Sequence, residues 1–517
     1  MRSVRGRILA TLLVLAAVAA GGWQLLPAKS GKDGTITVGT TDNVTSLDPA
    51  GAYDAGSWAL YSNVFQSLLT FEPGGGDPVP DAAESCSFPD GGLHTYQCRL
   101  RKDVTFPSGR VMTAEDVKFS FDRIKKINSP VGPASLFSTL ASVDAQGSTV
   151  TFHLSASDAT FPFKLATGAG SIVDSTRYPG DALRTRSGVD GSGPYTLTSY
   201  TKGRTAVLAP NERYRGALGI GQPVELRYYK NAGALENAWN SHRVQVAGRQ
   251  LPPRFLAGLS ASDPDRRVFE TAGSETRNLY FDTRAGAPLH DPRVRRALAW
   301  LVDRDRLAAT VYADTVEPLY SLIPAGITGH STPFFDAYPG PDPARAGQLL
   351  AEAGVSAPVR LTYGYALGSG AAAEEAAELK RQLEAGGLFQ VMVRGYEWTD
   401  FQKRWAAGRL DAYAVGWVAD YPDPDTFAAP LVGTGSTMKT GYRNSRVDEL
   451  ILATRQTAER NRVGDDFRAL QADVAADVPL IPLWQRKEYV VSTEDVGGGQ
   501  YLSDGNGMFR LWRLTWI

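Results

Sequence analysis

Between residues 359 and 417 the sequence alternates between strand patterns and helix patterns, and this alternation constrains the fold more than any other feature. Three strand patterns at 359–363, 391–396 and 411–417 are separated by two helix patterns at 371–385 and 399–407. Strands that alternate with helices in this way form βαβ units, in which the strands are parallel and the helices cover the sheet. The segment therefore predicts an α/β lobe.

The last of these strands ends in the stretch Gly416-Trp417-Val418-Ala419-Asp420-Tyr421-Pro422-Asp423-Pro424. Its two prolines forbid further strand pairing, and ligands of open α/β sheets bind beyond the carboxyl ends of the strands. Asp420, which Trp417 and Tyr421 flank, is suited to bind an ammonium group by charge-assisted hydrogen bonds and aromatic contacts. Residue chemistry alone nevertheless favours a simpler role for Asp420, as the cap of a proline-rich turn. A binding role needs support from other parts of the chain.

The first 33 residues differ in character from the rest of the chain. Three arginines within the first seven residues precede an apolar run from Ile8 to Ala20, which small residues follow. This is the layout of a secretory signal, so residues 1–33 are expected to be a signal and linker of an exported protein, at the cell surface or in a periplasm. An uncleaved anchor stays open as an alternative, although the run is short for a membrane span. No cysteine lies near this segment, which excludes a cysteine-linked lipoprotein.

The only two cysteines, Cys86 and Cys98, flank a turn pattern at 88–92. In an exported protein a local disulfide across this hairpin is expected, with a free pair of thiols as the alternative. The five histidines are scattered and show no metal-binding spacing, so neither a metal nor another cofactor is expected.

Size and charge exclude several classes of protein. A chain of 517 residues predicts about three domain-sized units. A net charge of −1 provides no field that would favour nucleic acid. An exported hydrolase is the alternative from another class, but the Gly-x-Ser-x-Gly elbow is missing and no histidine is placed to act as a base. The sequence therefore shows no hydrolase signature.

Segments outside the α/β lobe indicate that the chain returns to a first lobe. A strand pattern at 35–38 opens the exported part, and 195–208 has the pattern of a hairpin that turns at Lys202-Gly203. Strand patterns at 479–483 and 488–491 follow the α/β lobe. This order predicts two lobes with more than one connection.

Two helix starts inside the α/β lobe have the same signature. At Asp291-Pro292 and again at Asp342-Pro343, a capping aspartate precedes a proline at the first helical position. The second helix is predicted to stop at Gly354, the position after a helix end where glycine is favoured.

Several segments, taken in chain order, resemble the family 5 solute-binding proteins of ABC importers, of the oligopeptide- and dipeptide-binding type. The matching segments are Thr45 to Pro49, "RLRKDVTFPSGRVMTAEDVKFSFDRI", Gly191 to Tyr195, Asn211 to Tyr214, Leu279 to Thr283, "DPRVRRALAWLVDRDRL" and "GWVADYPDP". They extend over nearly the whole exported part of the chain. Residues 228–260 match only loosely, so no ligand contacts are transferred there.

The resemblance implies an α/β, two-lobed, periplasmic-binding-protein-like (type II) fold with an extra subdomain inserted in lobe I. Lobe I is expected to comprise 34–70, 192–277 and 488–517, the inserted subdomain 71–191, and lobe II 278–487. The chain then crosses between the lobes near residues 277 and 487. Ligand is expected to close the cleft between the lobes by a hinge movement.

The resemblance also implies a set of ligand-binding residues. In peptide-binding relatives the acidic residue of a Trp-x-x-Asp-Tyr motif pairs with the α-ammonium group of the peptide, and that residue is here Asp420. Further contacts are expected from Trp417, Tyr421, Trp398, Arg404, Tyr53, Ala55 and Trp484. For Trp398 and Trp484 a purely structural role in the core is the alternative.

The expected ligand is a short peptide, and the expected protein partners are the permease subunits of an importer with their ATPases. The protein is expected to be a monomer that binds no nucleic acid. Other cargoes of this family stay open, among them oligosaccharides, opines and metal chelates. A cationic sugar or a polyamine would also satisfy Asp420, and a chemoreceptor partner or a peptide chaperone would use the same site.

Overall fold

The structure of the protein is a computed structural model that describes residues 34–260, 263–368, 370–503 and 507–517. The expected signal and linker at 1–33 therefore lie outside the described residues. Within the described ranges, no helix is both long enough and apolar enough to cross a membrane. The same ranges contain no group of three or more histidine, cysteine, aspartate or glutamate side chains arranged to hold a metal ion.

The α-helices are distributed along the whole described chain. They are α1 (Ala55–Val64), α2 (Ala114–Ile127), α3 (Phe161–Leu165), α4 (Ala232–Asn240), α5 (Pro253–Ala257), α6 (Pro292–Ala299), α7 (Arg304–Tyr312), α8 (Pro333–Ala337), α9 (Pro343–Glu352), α10 (Ala372–Glu384), α11 (Trp398–Ala406), α12 (Asp425–Val432), α13 (Ser445–Arg455) and α14 (Gly464–Asp477). Both predicted Asp-Pro starts are confirmed, because Asp291 and Asp342 cap α6 and α9. Gly354 follows α9 with a φ of +69°, a conformation that glycine adopts without strain.

Within the part of the chain that the structure describes, the strands form one large sheet and three small ones. They are β1 (Ile36–Thr40), β2 (Leu69–Thr70), β3 (Val79–Pro80), β4 (Ala83–Ser87), β5 (Thr95–Leu100), β6 (Leu140–Gln146), β7 (Thr149–Leu154), β8 (Tyr195–Thr201), β9 (Thr205–Pro210), β10 (Val224–Tyr228), β11 (Val246–Gly248), β12 (Arg266–Phe281), β13 (Val316–Pro318), β14 (Val359–Ala366), β15 (Phe389–Tyr396), β16 (Ala412–Trp417), β17 (Leu480–Thr493), β18 (Val496–Gly497) and β19 (Thr515–Trp516). The large sheet has the order β15-β14-β16-β12-β17-β11-β1-β10-β9-β8, and β13 pairs with β17 beside this path.

The predicted βαβαβ run is confirmed. β14 pairs in parallel with β15 on one side and with β16 on the other. α10 and α11 connect these strands, as the sequence pattern predicts. The carboxyl ends of all three strands therefore lie at one edge of the sheet, which is where a ligand site is expected.

Two long strands carry the chain across the middle of the molecule. β12 and β17 pair with each other in antiparallel fashion over nearly their whole length, with irregularities between Ala272 and Thr276 and between Arg277 and Asn278. The prediction of two separate strands at 479–483 and 488–491 is wrong, because β17 continues without a break from Leu480 to Thr493. These two strands, which we call the crossing strands, connect the two halves of the structure that lie on either side of them.

A large hydrophobic core lies on each side of the crossing strands. The first contains buried apolar residues between Ile36 and Leu226 and again between Val490 and Leu514. The second contains buried apolar residues between Leu279 and Trp484. Tyr421 belongs to the first core although it follows β16, so it connects the two sides. The exact division into lobes stays a prediction.

The two cysteines lie in a separate four-stranded antiparallel sheet of the order β4-β5-β7-β6. Cys86 on β4 lies directly opposite Cys98 on β5, and a disulfide joins them. Free-thiol titration of the unfolded, unreduced protein should therefore find no thiol, and the reduced protein should show two. Because the loop that the bond closes is short, reduction should lower the free energy of unfolding by about 2–3 kcal/mol. Two thiols in the unreduced protein would contradict the disulfide.

Candidate functional site

A cavity of about 820 Å³ lies between the two cores, beyond the carboxyl ends of β15 and β16. We call it the main cavity. Its wall contains six of the eight predicted ligand-binding residues: Tyr53, Ala55, Trp398, Trp417, Asp420 and Tyr421. Other wall residues lie in the segment between α2 and β6 and on the helices α3, α12 and α13. The main cavity is therefore built from both sides of the crossing strands.

Asp420 presents a half-satisfied carboxylate to the main cavity. The Tyr53 hydroxyl donates a hydrogen bond of 2.7 Å to its Oδ2, and the Thr426 hydroxyl donates a longer one of 3.5 Å to the same oxygen. None of the hydrogen bonds among the described residues reaches Oδ1. The carboxylate is thus held in place through one oxygen while the other is available to a ligand.

The structure does not show Asp420 as the cap of the turn. The backbone N–H of Asp420 donates to the Thr426 hydroxyl at 3.2 Å, but no backbone N–H of a described residue donates to the Asp420 carboxylate. Asp423 has the capping role, since its Oδ1 accepts the backbone N–H of Asp425 at 2.9 Å. Arg460 donates to both oxygens of Asp423. The role of turn cap, which residue chemistry favours for Asp420, therefore belongs to Asp423.

The surroundings of Asp420 disfavour its charged form. Burial raises the pKa of the carboxyl group to about 6, while hydrogen bonds from Tyr53 and Thr426 and the charge of Lys164 act in the opposite direction. The Lys164 ammonium is itself paired with Asp158 at 2.6 Å. Asp420 is therefore a half-buried carboxylate that forms no ion pair among the described residues.

Tyr53 reaches Asp420 from the opposite side of the main cavity. It precedes α1, whose first turn is fixed by Asp54, because the Asp54 carboxylate accepts the backbone N–H of Ser57 at 2.7 Å. The Tyr53 ring stacks on Trp58 at a centroid distance of 5.3 Å. Ala55, the first residue of α1, lines the cavity beside it.

The aromatic residues of the main cavity differ in how deeply they are buried. Tyr421 is buried and packs against Phe163 with a ring distance of 6.0 Å. Trp417 is half-buried, and its indole Nε1 has no hydrogen-bond partner among the described residues. Trp398 is 46 % exposed at the rim of the cavity, so it is not a core aromatic residue.

Two of the predicted ligand-binding residues lie outside the main cavity. Arg404 pairs with Asp400 at 2.8 Å and lies over the ring of Tyr396. Trp484 is buried and donates its Nε1 hydrogen to Glu375 at 2.9 Å. Trp484 borders a second cavity of about 510 Å³, which we call the hinge-side cavity because it lies against the crossing strands.

Sequence reasoning missed three residues that shape the main cavity. Thr426 positions Asp420, and Arg455 forms a two-pronged ion pair with Asp425 on the wall, at 2.9 and 3.0 Å. Lys164 lies on α3, far from Asp420 in the chain. A threonine after a turn is a weak signal, and only the tertiary structure brings Lys164 to this site.

The arrangement is suited to binding. Among the described residues that line the main cavity there is no histidine or cysteine to act as base or nucleophile. The wall instead combines aromatic surfaces, hydroxyl groups and one carboxylate with an available oxygen. Such a site can hold an ammonium group and surround an elongated organic molecule.

Comparison with known protein families gives an independent result. The model for bacterial extracellular solute-binding proteins, family 5 Middle, matches residues 77–439. A curated relative, di/tripeptide-binding protein 2 of Pseudomonas aeruginosa, is 28 % identical over 528 residues, which cover 94 % of this chain and 95 % of the relative. Heme-binding protein A of Haemophilus influenzae is 27 % identical and covers 88 % of each chain.

Solved structures share the fold at lower identity. The periplasmic binding protein DppA from Helicobacter pylori, in complex with the peptide STSA, has a TM-score of 0.79 and 22 % identity, with 93 % of this chain and 98 % of that chain covered. AgaA from A. tumefaciens R10, in complex with agropinic acid, has a TM-score of 0.80 and 20 % identity, with 94 % and 99 % covered. At these identities the likeness establishes the fold alone.

Proposed function

The chain belongs to the bacterial extracellular solute-binding proteins of family 5, and from this premise we propose that it captures short peptides between its two lobes by their α-ammonium group. Proteins of this family are extracytoplasmic solute-binding components of ABC importers, and its relatives are substrate-binding proteins rather than enzymes. The observation that carries the proposal is the Asp420 carboxylate, which Tyr53 fixes through one oxygen while the other remains available in the main cavity.

An ammonium group is the ligand chemistry that this carboxylate needs. Partial removal of a carboxylate from water without a paired cation is costly, and the raised pKa of Asp420 reflects that cost. A primary ammonium donates three hydrogen bonds, and its charge supplies the missing counter-ion. The aromatic side chains of Trp417 and Tyr421 border the same position and favour a cation.

A peptide fits the rest of the main cavity. A volume of about 820 Å³ accommodates a molecule of several residues. The half-buried Trp417 and the exposed Trp398 offer apolar surface to side chains of varied shape. We assign ligand contacts to Tyr53, Ala55, Trp398, Trp417, Asp420 and Tyr421, and supporting roles outside the cavity to Arg404 and Trp484.

A panel of ligands tests the cargo. We expect free di-, tri- and tetrapeptides to raise the melting temperature of the purified protein, because a ligand that binds only the folded state stabilises it. Cello-oligosaccharides and agropinic acid serve as controls, and we expect no shift from either. Stabilisation by an oligosaccharide or an opine, with no effect of any peptide, would contradict the proposal.

Ligand binding is proposed to close the two lobes around the crossing strands. Lobe I then comprises 34–70, 192–277 and 488–517, with 71–191 inserted, and lobe II comprises 278–487. The contacts that join the sides include the hydrogen bond from the Tyr53 hydroxyl to Asp420 and the hydrogen bond from the backbone N–H of Ala159 to the carbonyl of Arg455 at 2.9 Å.

Closure predicts a change of shape that can be measured in solution. We expect small-angle scattering to give a smaller radius of gyration at a saturating concentration of peptide than without peptide, because the lobes move together as rigid bodies. The same protein with an N-acetylated peptide at equal concentration is the control. An unchanged radius at saturation would contradict closure by a hinge.

The proposed assembly follows from the family. A solute-binding protein delivers its ligand to permease subunits that are driven by ATPases, and we propose that this chain does so as a monomer. Export by the N-terminal segment is proposed as well, with or without its cleavage.

A further inference from the structure

The charges on the wall of the main cavity do not cancel. Among the described residues that line it, five side chains are charged at neutral pH: Asp54, Lys164, Asp420, Asp425 and Arg455. Each of the two cations forms an ion pair, whereas two of the three carboxylates form none with a described residue. The charge of this wall therefore bears on which peptides the cavity accepts.

The charge of Lys164 is compensated by Asp158, a fully buried carboxylate that does not line the cavity. The Lys164 ammonium donates to Asp158 Oδ2 at 2.6 Å, and the lysine side chain is itself only 6 % exposed. The hydroxyl groups of Thr139 and Thr160 also donate to Asp158, each at 2.6 Å. If a ligand carboxylate drew Lys164 away, Asp158 would remain as a buried, unpaired charge, which is strongly unfavourable. This pair is therefore neutral towards a ligand.

The charge of Arg455 is compensated by Asp425 on the same wall. The Arg455 guanidinium donates from Nε and Nη2 to the two oxygens of Asp425, at 2.9 and 3.0 Å. Two parallel hydrogen bonds of this kind are the strongest arrangement of an arginine with a carboxylate. Asp425 is 2 % exposed, so it depends on this arginine for its counter-charge. The second cation of the wall is therefore also held in a neutral pair.

Asp54 and Asp420 are the two carboxylates of the wall that form no ion pair with a described residue. Asp54 accepts the backbone N–H of Ser57 at 2.7 Å and the Ser57 hydroxyl at 2.9 Å. Asp420 accepts the hydroxyl groups of Tyr53 and Thr426. These donors are neutral, so they do not cancel the charges of the two carboxylates. With both ion pairs neutral, the wall carries an excess of two negative charges.

The hydrogen-bond donors that the wall still offers to a ligand are neutral as well. The indole Nε1 groups of Trp58 and Trp417 have no hydrogen-bond partner among the described residues, and both side chains line the cavity. A neutral N–H group can donate to the carbonyl of an amide without any need for charge. Val131 and Trp398, which are 58 % and 46 % exposed, add apolar surface to the same wall. Beyond Asp420, the wall is thus suited to the neutral parts of a peptide.

We propose that the main cavity selects ligands that bring an ammonium group but no carboxylate into it, so that a short peptide binds more tightly as its C-terminal amide than as the free acid. This inference rests on the proposed function, because Asp420 must hold the α-ammonium group. The carboxylate of a dipeptide lies within about 7 Å of that ammonium group, so it remains close to Asp420. There it is repelled by the negative wall and loses water without gaining a cation. Each further residue moves the carboxylate away by about 3.5 Å, so the preference should decrease with the length of the peptide.

Calorimetry at about pH 7 with Ala-Phe and its C-terminal amide tests this inference, because the two ligands differ only in the carboxylate. We expect the wild-type protein to bind the amide about tenfold more tightly. In Asp54→Asn, which removes one of the two unpaired charges and keeps the capping of α1, the preference should fall to about threefold. In Glu212→Gln, which removes an exposed carboxylate outside the main cavity, it should stay at about tenfold. For Ala-Phe-Ala-Ala, the acid and the amide should agree within about twofold.

The possible outcomes separate this inference from the proposed function. If the wild type binds the free acid of Ala-Phe as tightly as the amide, or more tightly, the inference is overturned and peptide binding stands. A preference for the amide that keeps its full size in Asp54→Asn would also overturn it, because the wall charge would then not be the cause. Binding of none of the four peptides would overturn the proposed function and this inference with it.

Discussion

Replacement of Glu375 by leucine is expected to lower the free energy of unfolding by about 3–5 kcal/mol. Glu375 is fully buried on α10. Its carboxylate accepts hydrogen bonds from Arg277 at 2.8 Å, from the Tyr312 hydroxyl at 2.8 Å and from the Trp484 indole at 2.9 Å. Leucine would leave a buried guanidinium and two buried donors without partners, which is the costliest way to break a buried ion pair.

The loss of stability in Glu375→Leu is expected to involve both crossing strands, because Arg277 lies on β12 and Trp484 on β17. Chemical denaturation of the variant measures the loss of stability. Glu374→Leu is the matched control, since this neighbouring glutamate is exposed, and it should change the stability by no more than about 0.5 kcal/mol. Adding Arg277→Met to Glu375→Leu should recover part of the loss. A loss below about 1 kcal/mol in the single variant would show that Glu375 does not hold the crossing strands together.

Replacement of Asp420 by asparagine is expected to weaken peptide binding by about tenfold to a hundredfold. Asparagine keeps the size of the side chain and one acceptor but removes the charge. A hydrogen bond to a charged group contributes roughly 1.5–3 kcal/mol, which corresponds to this range of affinity. The fold should survive, because Asp423 and not Asp420 caps the turn. Asp400→Asn removes an exposed carboxylate outside the main cavity and should leave the affinity unchanged.

The pH dependence of binding provides a second signature of Asp420. Since the pKa of its carboxyl group is about 6 without ligand, the affinity of the wild type should fall as the pH falls through 6. It should also fall above about pH 8, where a peptide amine loses its proton. Asp420→Asn should lack the acidic fall.

The stability of the ligand-free protein should respond to pH with the opposite sign. A carboxyl group whose pKa is raised binds protons more readily in the folded state than in the unfolded state. The contribution of Asp420 is therefore unfavourable above pH 6 and is relieved as the pH falls through 6 towards the ordinary value of an aspartate.

Local patterns predicted most of the second half of the fold. The βαβαβ run and the two Asp-Pro helix starts depend on residues close together in the chain, and all are confirmed. Gln485, Arg486 and Lys487 interrupt the apolar pattern of β17, so the pattern predicts two strands where the structure has one. In the structure Arg486 and Lys487 pair with glutamates on the neighbouring β12, which lets charged residues continue a strand.

The candidate site could be predicted in part. Asp420 and its aromatic neighbours can be predicted from the sequence, because a carboxylate at the end of a buried strand is a local signal. The contacts of Tyr53 and Lys164 with this site depend on tertiary structure, and only the resemblance to a family indicated Tyr53. The same resemblance placed Trp484 among the ligand contacts, whereas its indole is bound to Glu375 beside the hinge-side cavity.

The central claim is that Asp420 anchors the α-ammonium group of a peptide, and calorimetry with one tripeptide, free and N-acetylated, on the wild type and on Asp420→Asn tests it most directly. Acetylation removes the charge from the ligand, and the substitution removes it from the protein. We expect acetylation to weaken binding to the wild type by about tenfold to a hundredfold. It should cost the variant little, because the partner is already gone. Equal losses on acetylation in both proteins, or a variant that binds the free peptide as tightly as the wild type, would contradict the account.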